Sequence, residues 1–204
     1  RWPQQVEQLV ATLDRPLLVG SSTTLDLSVV TDSSGSWIEA GQRFNSAVLV
    51  DVDNPVQRYD KVVLTPFGER MPYLEHWPWL EDRLMAIGAG GMKFNLDAAE
   101  DVVTLDLPRG DAALTIGTPI CFEDTAPDLV RRMVYGDQPI LGDGAHKQAG
   151  LLINLSNDGW FGAYDAARVS HAQIARWRCI ENRVPMIRVV HTGQTSWFDS
   201  SGRV

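Results

Sequence analysis

Apolar residues Val6, Leu9, Val10 and Leu13 fall at the i, i+3, i+4 and i+7 positions, so residues 3–13 read as an amphipathic helix. A short apolar run over 16–20 follows, ends on Gly20 and reads as a buried strand. Residues 21–43 are rich in Ser, Thr, Gly and Asp and read as a surface loop holding one poor strand over 25–30. Apolar and small residues then alternate over 44–52 and stop at Asp53-Asn54-Pro55, a strand entering a turn. The segment 59–96 has little periodicity but carries Tyr73, Trp77, Trp79 and Leu80 before Gly88-Ala89-Gly90-Gly91 breaks it. Two strands over 102–107 and 112–120 are joined by Pro108-Arg109-Gly110-Asp111.

A helix begins after Cys121, continues over 129–135 and stops at Gly136. The run 151–155 reads as another buried strand. Ile174, Trp177, Ile180 and Val184 mark a long helix over 166–184, closed by Pro185. Strands over 186–190 and 195–198 flank His191-Thr192-Gly193. Strands and helices alternate without repeats or a linker, which predicts one α/β domain over 1–204 with a layered sheet.

Composition narrows the function classes. A net charge of −8 with no cluster of Lys and Arg gives no basis for nucleic-acid binding. Two cysteines form no disulfide framework, and His76, His146, His171 and His191 lack metal-ligand spacing. No apolar run approaches the roughly 20 residues that span a bilayer, and no signal-peptide pattern is present. Arg1-Trp2-Pro3 and Ser201-Gly202-Arg203-Val204 read as cut ends, so the domain is expected to be incomplete at both termini.

Cys121 is the candidate for chemistry, with a small buried hydrophobe as the alternative reading of a free cysteine. It follows the apolar run 112–120 and precedes Phe122-Glu123-Asp124-Thr125-Ala126-Pro127-Asp128, whose Thr, Asp and Pro suit a helix start. A thiol at a strand end, facing the amides of a following turn, is placed where a nucleophilic thiolate is stabilised. Cys179 sits mid-helix between Arg178 and Ile180 and reads as a packing residue.

Three segments line up with a family. Tyr59-Asp60-Lys61, followed by Leu64-Thr65-Pro66-Phe67-Gly68-Glu69, resembles the lysine segment of the nitrilase, or carbon–nitrogen hydrolase, superfamily. Ile120-Cys121-Phe122-Glu123 resembles its nucleophile elbow. Asn154-Leu155-Ser156-Asn157-Asp158-Gly159-Trp160-Phe161-Gly162, with His171-Ala172-Gln173-Ile174-Ala175-Arg176 and Glu181-Asn182-Arg183, is similar to the catalytic domain of the apolipoprotein N-acyltransferases.

The resemblance implies a nitrilase-like α-β-β-α sandwich and a ping-pong acyl transfer. Cys121 is then the nucleophile, Lys61 the cation that stabilises the oxyanion, and Glu69 a carboxylate that assists them. Glu123 matches another family acid and equally suits the start of a helix. Trp160 and Phe161 are expected to wall the pocket or to pack as core aromatics, and Asn157 and Asp158 suit a turn. Phe122 stands where the family commonly has Tyr, keeping an aromatic wall without the hydroxyl. His171 lies in an amphipathic helix and reads as structural.

The family's first triad glutamate belongs to a strand end before the 3–13 helix, and neither Glu7 nor Glu39 fits that place. By the same resemblance the acyl donor is a membrane phospholipid and the acceptor an apolipoprotein N-terminus. The domain would face the periplasm of a bacterial inner membrane between spans outside this sequence, with no metal or organic cofactor. The stretch 73–80 is a candidate lid or lipid-facing arm. A soluble carbon–nitrogen hydrolase and a non-catalytic module of the same fold are the alternatives.

Overall fold

Alternation along β2 (Gly35–Val50) decides the layering. Ala47 and Leu49 turn one way, into a core shared with Tyr59, Leu105 and Ile116. Val48 and Val50 turn the other way, onto Val10 of α1 (Gln4–Leu13). All four β2 residues are buried, so this end of the strand is covered on both faces. The computed structural model describes residues 4–33, 35–66, 68–70, 96–109, 112–137 and 146–204. Phe67, Gly110, Asp111 and the aromatic stretch 73–80 lie outside the described residues.

Among the described residues β1 (Leu17–Asp32), β2 and β3 (Gln57–Asp60) form an antiparallel sheet in that order. The second sheet has the order β4 (Leu105–Arg109), β5 (Ala112–Gly117), β6 (Leu151–Asn157), β7 (Met186–His191) and β8 (Ser196–Phe198). Its centre, β5-β6-β7, is parallel and its two edges pair antiparallel. Leu114, Ile116, Ile153 and Leu155 face the first sheet. Leu152 and Met186, one position out of phase, face α2 (Pro127–Tyr135) and α3 (Asp165–Asn182), where Val130, Val134, Ala175 and Cys179 meet them. The layers are thus helix, sheet, sheet, helix, the order the family resemblance implied.

Gly117 lets α2 lie close on β5. A Cβ there would come within 2.9 Å of Leu152 and 3.0 Å of Met133.

Three expectations are corrected. Residues 21–43 are not a loop: β1 and β2 pair from Leu17↔Val50 out to Asp32↔Gly35, with Thr31 and Ser36 joined at 2.8 Å near the tip. Most side chains of this ribbon are solvated on both faces, so the strands carry no apolar alternation to read, and the cross-strand ladder alone satisfies the backbone. The helix placed directly after Cys121 is a 3₁₀ turn, Cys121–Thr125, and α2 starts separately at Pro127 after an extended Ala126. Pro at the first helical position has no N–H to lose, which favours the restart there. The long helix ends before Pro185, because Arg183 adopts a left-handed conformation whose N–H caps Cys179 O. Among the described residues no helix is long and apolar enough to cross a membrane.

Candidate active site

The parallel strands β5 and β6 end side by side, and the chain leaving β5 bridges Ile120 to Leu155 before it turns at Cys121. Cys121 has φ of 50°, a left-handed conformation that costs a non-glycine residue about 1–2 kcal/mol. Surrounding hydrogen bonds hold it there. Asn154, fully buried on β6, donates from Nδ2 to Pro119 O at 3.0 Å and to Cys121 O at 3.4 Å. Ile120 N donates to Glu123 Oε2 at 2.8 Å.

Glu123 ties this turn to the segment after β3. Its Oε1 accepts from Tyr59 Oη at 2.8 Å, Val62 N at 2.8 Å and Val63 N at 2.9 Å. The carboxyl is fully buried; burial pushes it above its ordinary range against the pull of these donors. The Tyr59 phenol is also pushed up, by its own burial and by the neighbouring Glu123. Glu123 therefore sits outside the cavity and acts as a clamp between the Cys121 turn and the Lys61 segment.

Lys61 follows β3 directly and is fully buried. Its N–H donates to Asn45 O at 2.8 Å, and its Nζ donates to Glu69 Oε2 at 2.5 Å and Thr65 Oγ1 at 3.2 Å. Glu69 comes back to meet it through a tight turn in which Glu69 N donates to Thr65 O at 2.9 Å. The carboxylate accepts further bonds from Thr65 N and Asn45 Nδ2, both at 2.8 Å. Burial pushes Glu69 up, but the Lys61 ammonium and these donors outweigh it and hold the carboxyl below its ordinary range.

That direction fixes a pH dependence. A depressed carboxyl stabilises the fold above its unfolded value of about 4.3, and the contribution is lost as pH falls through the folded value. Urea midpoints of the wild type and Glu69→Gln are therefore expected to differ at neutral pH and converge as the pH drops below about 4.3. A gap that persists unchanged in acid shows that another group is linked.

Cys121, Glu69, Thr65, Asn45, Trp160 and His191 line one cavity of about 370 Å³, with Gly20, Ile120, Leu155 and Val189 among its other walls. Lys61 lies behind Thr65 and Glu69. Of the two aromatic residues after β6, Trp160 lines the cavity, while Phe161 packs edge-on against His171 with ring centroids 5.6 Å apart. Phe122 is half-buried beside the elbow and does not line the cavity. Cys179 lies elsewhere: it is fully buried on α3, and its thiol is pushed up to about 12 by burial and by Asp199. A thiol held so far up is a poor nucleophile at neutral pH.

A buried quartet, whose pairing no local sequence pattern marks, joins elements next to those that line the cavity. His171 Nε2 is 2.9 Å from Asp124 Oδ1, and its Nδ1 is 3.0 Å from Asp158 Oδ1. Arg188 Nη2 donates to both Asp158 oxygens, at 3.0 and 3.2 Å, and lies 2.8 Å from His171 Nδ1. The four side chains are 0–5% exposed, so the network joins the Cys121 turn, the Trp160 turn, α3 and β7 away from water. Burial pushes Asp124 up. Asp158 is held down against its burial by Arg188, and His171 is raised against its burial by Asp124. The available signal was Arg188, a charge inside an apolar strand pattern, which calls for a buried partner. Among the described residues no group of three or more His, Cys, Asp or Glu is arranged to hold a metal ion.

The family model of carbon–nitrogen hydrolases matches residues 15–204. The chain is 31% identical to the apolipoprotein N-acyltransferase of Chlorobaculum tepidum over 97% of this chain and 35% of that protein. It is 33% identical to the enzyme of the same name from Geobacter metallireducens over 78% of this chain and 27% of that protein. It thus spans about a third of the length of the curated relatives it matches. Among solved structures, a carbon–nitrogen hydrolase from Helicobacter pylori superposes with a TM-score of 0.58 at 15% identity, over 98% of this chain and 61% of that one. A mutant amidase from Nesterenkonia sp. AN1, with the acetamide moiety of fluoroacetamide covalently added at its active-site cysteine, gives 0.60 at 14% identity. Its match covers 98% of this chain and 59% of that one. At these identities the structures speak for the fold alone.

Proposed function

This chain belongs to the carbon–nitrogen hydrolase family, and on that premise we propose that it is the catalytic domain of an apolipoprotein N-acyltransferase. The observation that carries the reading is that Cys121 shares one cavity with Glu69, the carboxylate that holds the buried Lys61 ammonium, in a chain similar over most of its length to enzymes of that name.

Cys121 attacks the carbonyl carbon of a phospholipid acyl ester through its sulfur. The glutamate that the resemblance puts upstream of α1 takes the thiol proton. The tetrahedral oxyanion is stabilised by Lys61, whose ammonium Thr65 and Glu69 hold in one orientation. As the C–O ester bond breaks, the lysophospholipid leaves with that proton, and the acyl group remains on sulfur as a thioester. The α-amine of an apolipoprotein's N-terminal diacylglyceryl-cysteine then attacks the thioester carbon, forming an amide and restoring the thiol.

Trp160 walls the acyl site, and Glu123 keeps the Lys61 segment in register with the elbow. Phe161 supports the site from behind through its packing on His171, and Phe122 packs beside the nucleophile. Residues 1–204 form one domain in this proposal, on the periplasmic side of a bacterial inner membrane beside its lipid donor.

The test uses the full-length protein in detergent micelles, given phospholipid without acceptor. Release of lysophospholipid and one acyl mass on Cys121 are expected, and a diacylglyceryl-cysteine peptide should then discharge it. Ammonia release from small amides, with no acyl-enzyme formed from phospholipid, would overturn the reading in favour of a hydrolase.

A further inference from the structure

Gly20 is a glycine that neither its backbone nor its neighbours require. It lies in β1 and pairs with Ala47 of β2, and its φ lies outside the positive region that favours glycine. A Cβ built there would meet only Leu155 Cδ1, at 3.9 Å, an ordinary van der Waals contact. Glycine inside a strand weakens it, and one of its recurrent uses is to leave room where a ligand approaches closely.

The vacancy lies inside the catalytic cavity. Gly20 shares the phase of Leu18, which packs into the core between the sheets, so the missing side chain points across to the second sheet above Leu155. Leu155 bridges Ile120, the residue before Cys121, and Val189 continues the wall on β7. An apolar floor therefore runs outward from the nucleophile, and the strand above it carries no side chain at this point.

We infer that Gly20 is a specificity-determining residue: its bare backbone lets the acyl chain carried on Cys121 pass close over β1 along the cavity wall, so the size of residue 20 sets the chain length accepted. This rests on the acyl-transfer reading above. It adds that the donor's acyl tail, and not its head group or the acceptor, runs over the bare backbone of Gly20 beside Leu155.

Full-length wild type, Gly20→Ala and Gly20→Leu are compared for transfer from a series of phospholipids that differ only in acyl length. Because a misfit of one methylene in an apolar pocket changes discrimination by roughly 10–200-fold, Gly20→Leu should raise the ratio of short-chain to long-chain kcat/KM by that order. Gly20→Ala should move it the same way by less. The alanine variant covers the case in which the larger side chain prevents folding, since its Cβ meets only an ordinary contact. An unchanged ratio in folded variants, or equal loss at all chain lengths, overturns the role of Gly20 and leaves acyl transfer standing. Absence of transfer from every phospholipid by the wild type overturns both together.

Discussion

Replacing Cys121 by alanine in the full-length protein will lower acyl transfer by roughly 10⁴-fold or more, the scale of loss when a covalent nucleophile is removed. The expectation rests on position. Cys121 lines the cavity, at a strained turn that Asn154 and Glu123 hold in place, and it shares that cavity with Glu69. Cys179 is fully buried in α3 behind the second sheet, with its Sγ toward Ala175 O. Cys179→Ala should therefore leave turnover intact and cost about 1 kcal/mol of stability through lost packing. Peptide mapping of the trapped acyl-enzyme separates the two thiols. Acyl mass on Cys179, or transfer surviving Cys121→Ala, would falsify the assignment.

The second large effect is expected at Lys61. Lys61→Met should lower kcat by roughly 10²–10³, the range for loss of one oxyanion donor. It should also destabilise the fold, because breaking a buried ion pair from one side costs roughly 3–5 kcal/mol. The lower end applies, since Glu69 keeps its bonds from Asn45 and Thr65 N and remains slightly exposed. The double variant Lys61→Met/Glu69→Gln separates the two effects by removing both charges. It should recover stability in thermal melts without recovering turnover. Lys61→Arg should remain slow, because a planar fork does not fit a site where one Nζ reaches Glu69 at 2.5 Å and Thr65 at 3.2 Å. A near-wild-type rate in the arginine variant shows that any nearby cation suffices, and the point-charge geometry is then wrong.

The chemistry of the site was legible where it depended on short motifs. Cys121 at a strand end, Lys61 after Tyr59-Asp60 and Glu69 beyond a Pro-Phe-Gly turn could each be picked out locally. Asp124 suited a helix start, Asp158 a turn, and Asn154 was one position of a buried strand. Their partners are distant in the chain: His171 is 47 positions from Asp124, Arg188 is 30 from Asp158, and Asn154 is 35 from Pro119. No local pattern encodes such pairings.

The sequence by itself determined the alternation of α and β over most of the chain and marked Cys121, at a strand-to-turn junction, as the candidate nucleophile; the short strand β3 left no such mark. Periodicity reports which face of an element is buried, and a strand-to-turn junction is a local event. Only the tertiary structure decided that residues 21–43 join the flanking strands into one long hairpin, because a ribbon solvated on both faces leaves no alternation and is held by cross-strand hydrogen bonds. The tertiary structure likewise decided that Glu123 clamps two segments 64 positions apart, and that His171 belongs to an ionic quartet. Burying a charge is tolerable only where other charges and donors converge on it, and that convergence exists only once the sheets have packed.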